Sequence, residues 1–412
     1  MLEHLFRHQG GRMVAHLTRL LGPANIDLAE ETVQEAMLRA LQTWPYEGAP
    51  ENAGAWLFRV AHNAAIDAVR RNRLLSDKSD AIVRELSQSA SAAEDNPDLE
   101  EQLRDDELRM IFMCCHPDIS RDSSVALSLK TVGGFSVREI ARAFLADDAA
   151  IAQRLVRAKS QIRERRLTLD MPRGAELKSR VASVLDVIYF MFNEGYTAHE
   201  GQDLIRRDLC FEALRLGCLV AASSIAIPSV HALVALMAFQ VSRLAARVDE
   251  AGDLVPFEFQ DHGLWDQHLI GLGFHHFDRS MAGDEVSEYH VQAAIAATYA
   301  RAPEWHAVDW PMILRLYDQF LAINPSPVVA LNRAVVVSKV QGPEEALDVI
   351  APLENNSKLR SYYLLPAVRG HLLLELGRHQ DAAACFSAAL ERPCSEPERR
   401  FLRRKLGECE QV

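Results

Sequence analysis

The chain has 412 residues, too many for one compact core, so two to four domains are expected. Its residues are 49% hydrophobic and 25% charged, with a net charge of −12, and few stretches alternate as strands do, so the expected class is an all-helical soluble protein. No stretch has the apolar length of a membrane span, and the N-terminus lacks the basic start and apolar core of a signal peptide, which together point to the cytoplasm and to no membrane partner. Seven cysteines, with no Cys-x-x-Cys pair and an odd total, argue against a zinc site or a disulfide framework.

In chain order, the first strongly periodic element is Glu31–Trp44. Val33, Ala36, Met37, Ala40, Leu41 and Trp44 fall on one helical face. The other face carries Glu31, Gln34, Glu35, Leu38 and Gln42, an acidic surface with one apolar residue that suits a basic partner helix. Taken alone, such a face is most often solvated surface. A loop follows from Pro45 to Gly54, then a second helix, Ala55–Arg73. Trp56, Arg59, Asn63 and Arg70 lie near one face of it, and its end gathers Arg70, Arg71 and Arg73. Cations at a helix C-terminus have an ordinary reading, since they offset the macrodipole. With an aromatic ring and an amide beside them, they also match what a single-stranded nucleic acid requires: a surface for a base and charges for its phosphates.

Residues 76–97 are poor in large apolar side chains and rich in Ser, Ala, Asp and Glu, the composition of a linker. Residues 99–129 supply supporting helices, with Pro117 marking a break. From Phe135 to Arg166 the sequence reads as two helices around a tight turn. The second helix sets Ile151, Leu155, Ala158 and Ile162 on a stripe to be buried and turns Gln153, Arg154, Arg157, Gln161 and Arg163 outward. Arg can fork onto guanine and Gln onto adenine, so this pattern suits a DNA-reading helix-turn-helix. Asp147 and Asp148 are placed to cap it.

In this order and spacing the three segments resemble a bacterial sigma factor of the sigma-70 superfamily, of the extracytoplasmic-function type that keeps regions 2 and 4. The resemblance covers about the first 170 residues. It implies that the Glu31–Trp44 helix binds RNA polymerase core through Glu31, Gln34, Glu35 and Leu38. It implies that Arg59, His62, Asn63, Arg70, Arg71 and Arg73 meet the promoter −10 strand. On the −35 duplex it assigns readout to Gln153, Arg154 and Arg157, and backbone or polymerase contacts to Lys159, Arg163, Arg165 and Arg166. Leu145 stands where such turns usually have glycine, a departure from the family's pattern.

After Met171 the composition turns to long apolar helices. Val184–Tyr196 is a nearly solid apolar run closing on Asn-Glu-Gly-Tyr, and Gly195 is expected just past a helix end. The phrase Phe192–Tyr196 also resembles a signature in the C-terminal extension of one group of these sigma factors. His262, His268, His275 and His276 crowd together without a metal-site spacing, and they read as packing or surface residues. Residues 331–350 and 373–390 look like two copies of a helix–turn–helix unit. The second fits the tetratricopeptide pattern, with Gly377 at the turn and Ala382, Phe386 and Ala389 at packing positions, and so suits a protein or peptide partner.

The expected division is therefore region 2 at 1–75, a linker at 76–98, region 4 at 99–168, a family-specific helical segment at 169–270 and a tetratricopeptide-like domain at 271–412. No catalytic, cofactor or metal site is legible. Local basic faces on an acidic body predict weak, salt-sensitive binding of free DNA, so a partner must load the protein on a promoter. The expected function is a promoter-specificity subunit of RNA polymerase whose C-terminal extension regulates it in cis. Two alternatives stay open: a helix-turn-helix regulator with a tetratricopeptide-like sensor that never joins polymerase, and an enzyme hidden in the extension.

Overall fold

A computed structural model describes residues 2–71, 82–87, 99–144, 146–196 and 205–410. Arg73, Leu145 and most of the expected linker lie outside the described residues. The described residues are helical throughout, joined by turns and by one isolated β-bridge between Val248 and Leu254. They divide into two compact units, 1–190 and 191–412.

The first unit opens with α1 (Leu2–Leu21), α2 (Ile26–Glu47) and α3 (Ala53–Arg71). Leu17, Ile26, Val33, Ala36, Ala40, Leu57, Phe58 and Ala61 form their common core. The loop after α2 begins later than expected, because Pro45 is held inside the last turn and the chain leaves the helix at Gly48, with φ of 84°. A proline there forfeits one hydrogen bond in an exposed final turn, while the left-handed turn itself needs glycine.

The unit continues through α4 (Leu99–Cys114), α5 (Arg121–Thr131), α6 (Val137–Ala143), α7 (Asp148–Arg165) and the first part of α8 (Ala175–Tyr196). Ser136 and Glu139 cap α6 reciprocally: the Ser136 amide donates to the Glu139 carboxylate at 2.7 Å, and the Glu139 amide to Ser136 Oγ at 3.1 Å. Asp147 is the N-cap of α7 through its backbone alone, without the side-chain bond anticipated from the sequence.

The segments expected to be two tethered modules are packed as one body. Asp106 of α4 takes His16 Nδ1 at 2.7 Å and Arg19 Nε at 3.1 Å, both from α1, and Arg12 pairs with Glu107 at 3.4 Å. Gly11 explains how closely the backbones meet: a Cβ there would lie 1.9 Å from the Val132 carbonyl oxygen. Within residues 76–98, a helical turn at 82–87 buries Leu86 completely, so part of the expected linker is docked.

In the second unit, α9 (Arg207–Ala222) and α10 (Pro228–Ser242) precede α11 (Gln267–Ser280) and α12 (Glu288–Arg301). Helix α10 is packed by α9, α11 and α12 and is buried nearly all round, as a helix apolar on every face must be. Gly195 departs from the expectation of a helix stop. It lies within α8, with no positive φ, and a Cβ would come within 2.9 Å of the Cys210 amide. It is small because α9 crosses there. The remaining helices are α13 (Trp310–Ile323), α14 (Pro327–Val340), α15 (Pro343–Ile350), α16 (Leu364–Glu375), α17 (His379–Leu390) and α18 (Glu396–Glu410). The expected boundary at 270/271 falls inside α11.

Both expected helical repeats are hairpins. α14 and α15 turn at Gly342 and α16 and α17 at Gly377, each glycine with positive φ. Ala382, Phe386 and Ala389 are buried, and Gly370 lets Phe386 approach within 3.0 Å of where a Cβ would sit. The histidines are dispersed in role: His262 stacks on Trp265 at 4.2 Å, while His276 meets His231, Nδ1 to Nδ1, at 2.9 Å. His231 carried no sequence signal for this pairing. Among the described residues no group of three or more His, Cys, Asp or Glu is placed to hold a metal ion.

Candidate nucleic-acid interface

Helix α2 divides its two faces sharply. Val33, Ala36, Ala40 and Trp44 are buried, whereas Glu31, Gln34 and Gln42 are exposed and Glu35 is half-buried. Leu38 is 58% exposed, and Leu41, assigned from periodicity to the buried face, is 51% exposed. Leu41 is one residue beyond the edge of the stripe that α1 and α3 can cover. The outer face thus joins two leucines to Glu31, Gln34 and Glu35, and Tyr46 in the last turn of α2 is 90% exposed. Sequence reasoning missed Leu41 and Tyr46, because the period alone does not give the width of the covering helices.

On α3, Arg59, Asn63, Arg70 and Arg71 are exposed and Trp56 is half-buried against Trp44, edge to face at 5.4 Å. A hollow of about 370 Å³ between α2 and α3 is lined by Glu35, Arg39, Asp67, Arg70 and Arg71. It brings residues assigned to polymerase and to DNA to one place. His62 does not belong to this surface. It is 1% exposed, with Nδ1 donating to the Phe58 carbonyl at 2.9 Å and its ring 4.0 Å from that of Phe58. Burial, reinforced by neighbouring His16, pushes its pKa down to about 3, so the ring is a neutral core group near pH 7.

The helix-turn-helix is formed by α6 and α7. The stripe read from sequence is buried as a set: Ile151, Leu155, Ala158 and Ile162. Gln153 and Arg157 are exposed and already joined, Arg157 Nη2 donating to Gln153 Oε1 at 3.1 Å. Arg154 is half-buried and lies 3.9 Å from Asp122 of α5.

Lys159 is placed otherwise than anticipated. It is 8% exposed and donates to Asp27 at 2.7 Å and Glu30 at 2.9 Å, both in the first turns of α2. Arg163 reaches Asp27 at 3.1 Å. Burial opposes the charge on Lys159, but Glu30 and Asp27 outweigh it and raise its pKa. Burial likewise works against the Asp27 carboxylate, which Lys159 and Arg163 nonetheless hold below its ordinary value. Lys159 is spent inside the fold, and the outward cation count of α7 falls by one. Its partners sit more than a hundred residues upstream, so no local pattern could have revealed them.

Cys114 and Cys115 are buried; Cys114 contacts Thr131 Oγ1 at 3.4 Å, and burial pushes its thiol up to about 12. They are inert packing groups at neutral pH. No helix among the described residues is long and apolar enough to cross a membrane.

Residues 5–74, spanning α1 to α3, match the model of sigma-70 region 2. The chain is 40% identical over 383 residues to an uncharacterized protein of Rhizobium meliloti (strain 1021), an alignment covering 93% of this chain and 90% of that one, and it belongs to the same family. Residues 180–281 match a family of unknown function, DUF6596. No solved structure matches the chain.

Proposed function

We propose that this protein is a sigma factor of the extracytoplasmic-function type: it docks on core RNA polymerase through the outer face of α2 and directs initiation at specific promoters. The observation that carries the reading is the coincidence of a sigma-70 region 2 match with an uncovered acidic-apolar stripe on α2, in which Leu38 and Leu41 are more than half exposed. Solvated leucines flanked by carboxylates favour a basic helical partner, because docking removes apolar area from water while the charges set register. On α3, Arg59, Asn63, Arg70 and Arg71 would hold an unpaired −10 strand, with Arg73 assigned there by sequence alone. On α7, Gln153, Arg154 and Arg157 would read the −35 duplex, with Arg163 and Arg165 near the backbone. The hairpins α14–α15 and α16–α17 support a tetratricopeptide-like extension that binds a protein or peptide and regulates the factor in cis.

The test is transcription in vitro from genomic fragments with purified core polymerase. Discrete start sites that require the full chain are expected, together with weak binding of free duplex that salt abolishes. Tight, specific duplex binding by the chain alone, with no transcript gained on adding polymerase, would overturn the reading in favour of a stand-alone regulator.

A further inference from the structure

Within the first unit, a cavity of about 590 Å³ lies where the end of α4, the C-terminus of α7 and the start of α8 meet, and Arg166 is its one lining residue that the resemblance also assigns to promoter or polymerase. Four arginines line it: Arg109 of α4, Arg166 at the C-cap of α7, Arg173 in the connector and Arg180 of α8. Asp170 and Glu176 are the acidic groups of the lining, so arginines outnumber carboxylates two to one in a chain whose net charge is −12.

Arginines of the first unit fall into paired and unpaired sets, and most of those on the cavity wall are unpaired. Arg19, Arg39, Arg121, Arg154, Arg163 and Arg165 each have a carboxylate within 4 Å. Among the described residues, Arg109, Arg166 and Arg173 have none. Arg180 is 7% exposed. One of its amino groups donates to the Phe112 carbonyl at 2.6 Å and the other to Glu176 at 3.2 Å, while its Nε has no hydrogen-bond partner among the described residues. A buried guanidinium N–H without an acceptor is uncommon in a folded protein. Arg166 adds a further sign. It is the one non-glycine with positive φ among the described residues, at 52°, in the position after a helix where glycine is favoured. An arginine kept there gives up that ease and sets a guanidinium on the cavity wall.

We infer that this cavity is a binding site for a small phosphorylated molecule carrying at least two negative charges, with Arg109, Arg166 and Arg173 on its phosphates and Arg180 at its buried floor. Guanidinium groups fork onto phosphate oxygens in pairs, and several converging on one hollow select a polyanion over a single charge. The volume is that of a nucleotide-sized ligand. A nine-tenths-buried floor favours a free molecule over the DNA backbone, because duplex phosphates cannot descend into a hollow. The bound molecule would bridge α4, α8 and the end of the helix assigned to −35 readout.

The experiment is calorimetric titration of the full chain with inorganic pyrophosphate at constant ionic strength. Arg109→Gln and Arg173→Gln are the test variants, since neither side chain holds the fold through an ion pair, and Arg121→Gln is the control. Saturable one-to-one binding is expected, weakened at least about tenfold by Arg109→Gln and by Arg173→Gln and unchanged by Arg121→Gln, with the melting of all free chains alike. Three results would overturn the inference: no pyrophosphate binding, equal loss in the control variant, or displacement of pyrophosphate by duplex DNA accompanied by weaker DNA binding of the two test variants. The last would assign the arginines to a nucleic-acid backbone. These outcomes are independent of whether the chain works with polymerase.

Discussion

Replacing Lys159 by methionine separates an internal role from a DNA-contacting one. The ammonium is 8% exposed between Glu30 and Asp27, and removing one member of a buried pair costs roughly 3–5 kcal/mol when the other charge is left without compensation. The two partners do not contribute alike. Glu30 is 11% exposed and keeps most of that penalty, whereas Asp27 is 56% exposed and retains Arg163, so its share is screened to about 0–1 kcal/mol. A loss of about 2–4 kcal/mol follows for the first unit. Adding Glu30→Gln should recover about 1–2 kcal/mol, because the stranded carboxylate is then neutral. The pH dependence is fixed in sign. The raised pKa of Lys159 means that its contribution is complete below 10.5 and fades as pH rises through the folded value. The lowered pKa of Asp27 means that its contribution is present above 3.8 and fades as pH falls. The difference between wild type and variant should therefore be flat through the neutral range. Urea unfolding of the full chain, with hydrogen exchange over α2 and α7 to localise the loss, measures it. Unchanged unfolding and exchange, with promoter binding weakened on every sequence and the salt slope reduced by about one, would refute the argument and return Lys159 to the phosphate backbone.

Leu38→Glu and Leu41→Glu should each weaken capture by core polymerase at least about tenfold in a pull-down while leaving the thermal midpoint within a degree or two, since both side chains already face water. Arg157→Ala should cost about 1–3 kcal/mol in −35 recognition by the assembled polymerase if its contact forks onto a base, and footprinting across variant promoters should show the loss concentrated at one base pair. The His62 pKa of about 3 lies below the ordinary 6.5, so stability is present above pH 6.5 and is lost as pH falls toward 3. About 2 kcal/mol should be gone by pH 5, and His62→Asn should flatten that slope in thermal melts. Gly195→Ala should destabilise the second unit by about 1–3 kcal/mol, because its methyl group would press on the Cys210 amide, and circular dichroism melts would register the change.

The helices and their inward faces were legible in the sequence because period and side-chain polarity are local properties. Ile151, Leu155, Ala158 and Ile162 are spaced to be buried and are buried, and Gly377 turns a hairpin where glycine alone takes that φ cheaply. The exposure of the candidate residues followed in the same way, for Glu31, Gln34 and Leu38 on α2 and Arg59, Asn63 and Arg157 on α3 and α7. What the tertiary structure alone decided is which polar groups the fold consumes. The resemblance assigns Lys159 and His62 to contacts outside the fold, yet Glu30 and Phe58 claim them; Leu41 looks inward from its period, yet it is exposed. Gly195 reads as a stop but serves a crossing, and the arginines around the α4–α7–α8 cavity are scattered over more than seventy residues. Periodicity fixes the direction of a side chain about its own helix axis, whereas burial and pairing depend on a second element whose distance along the chain has no bearing on its distance in space.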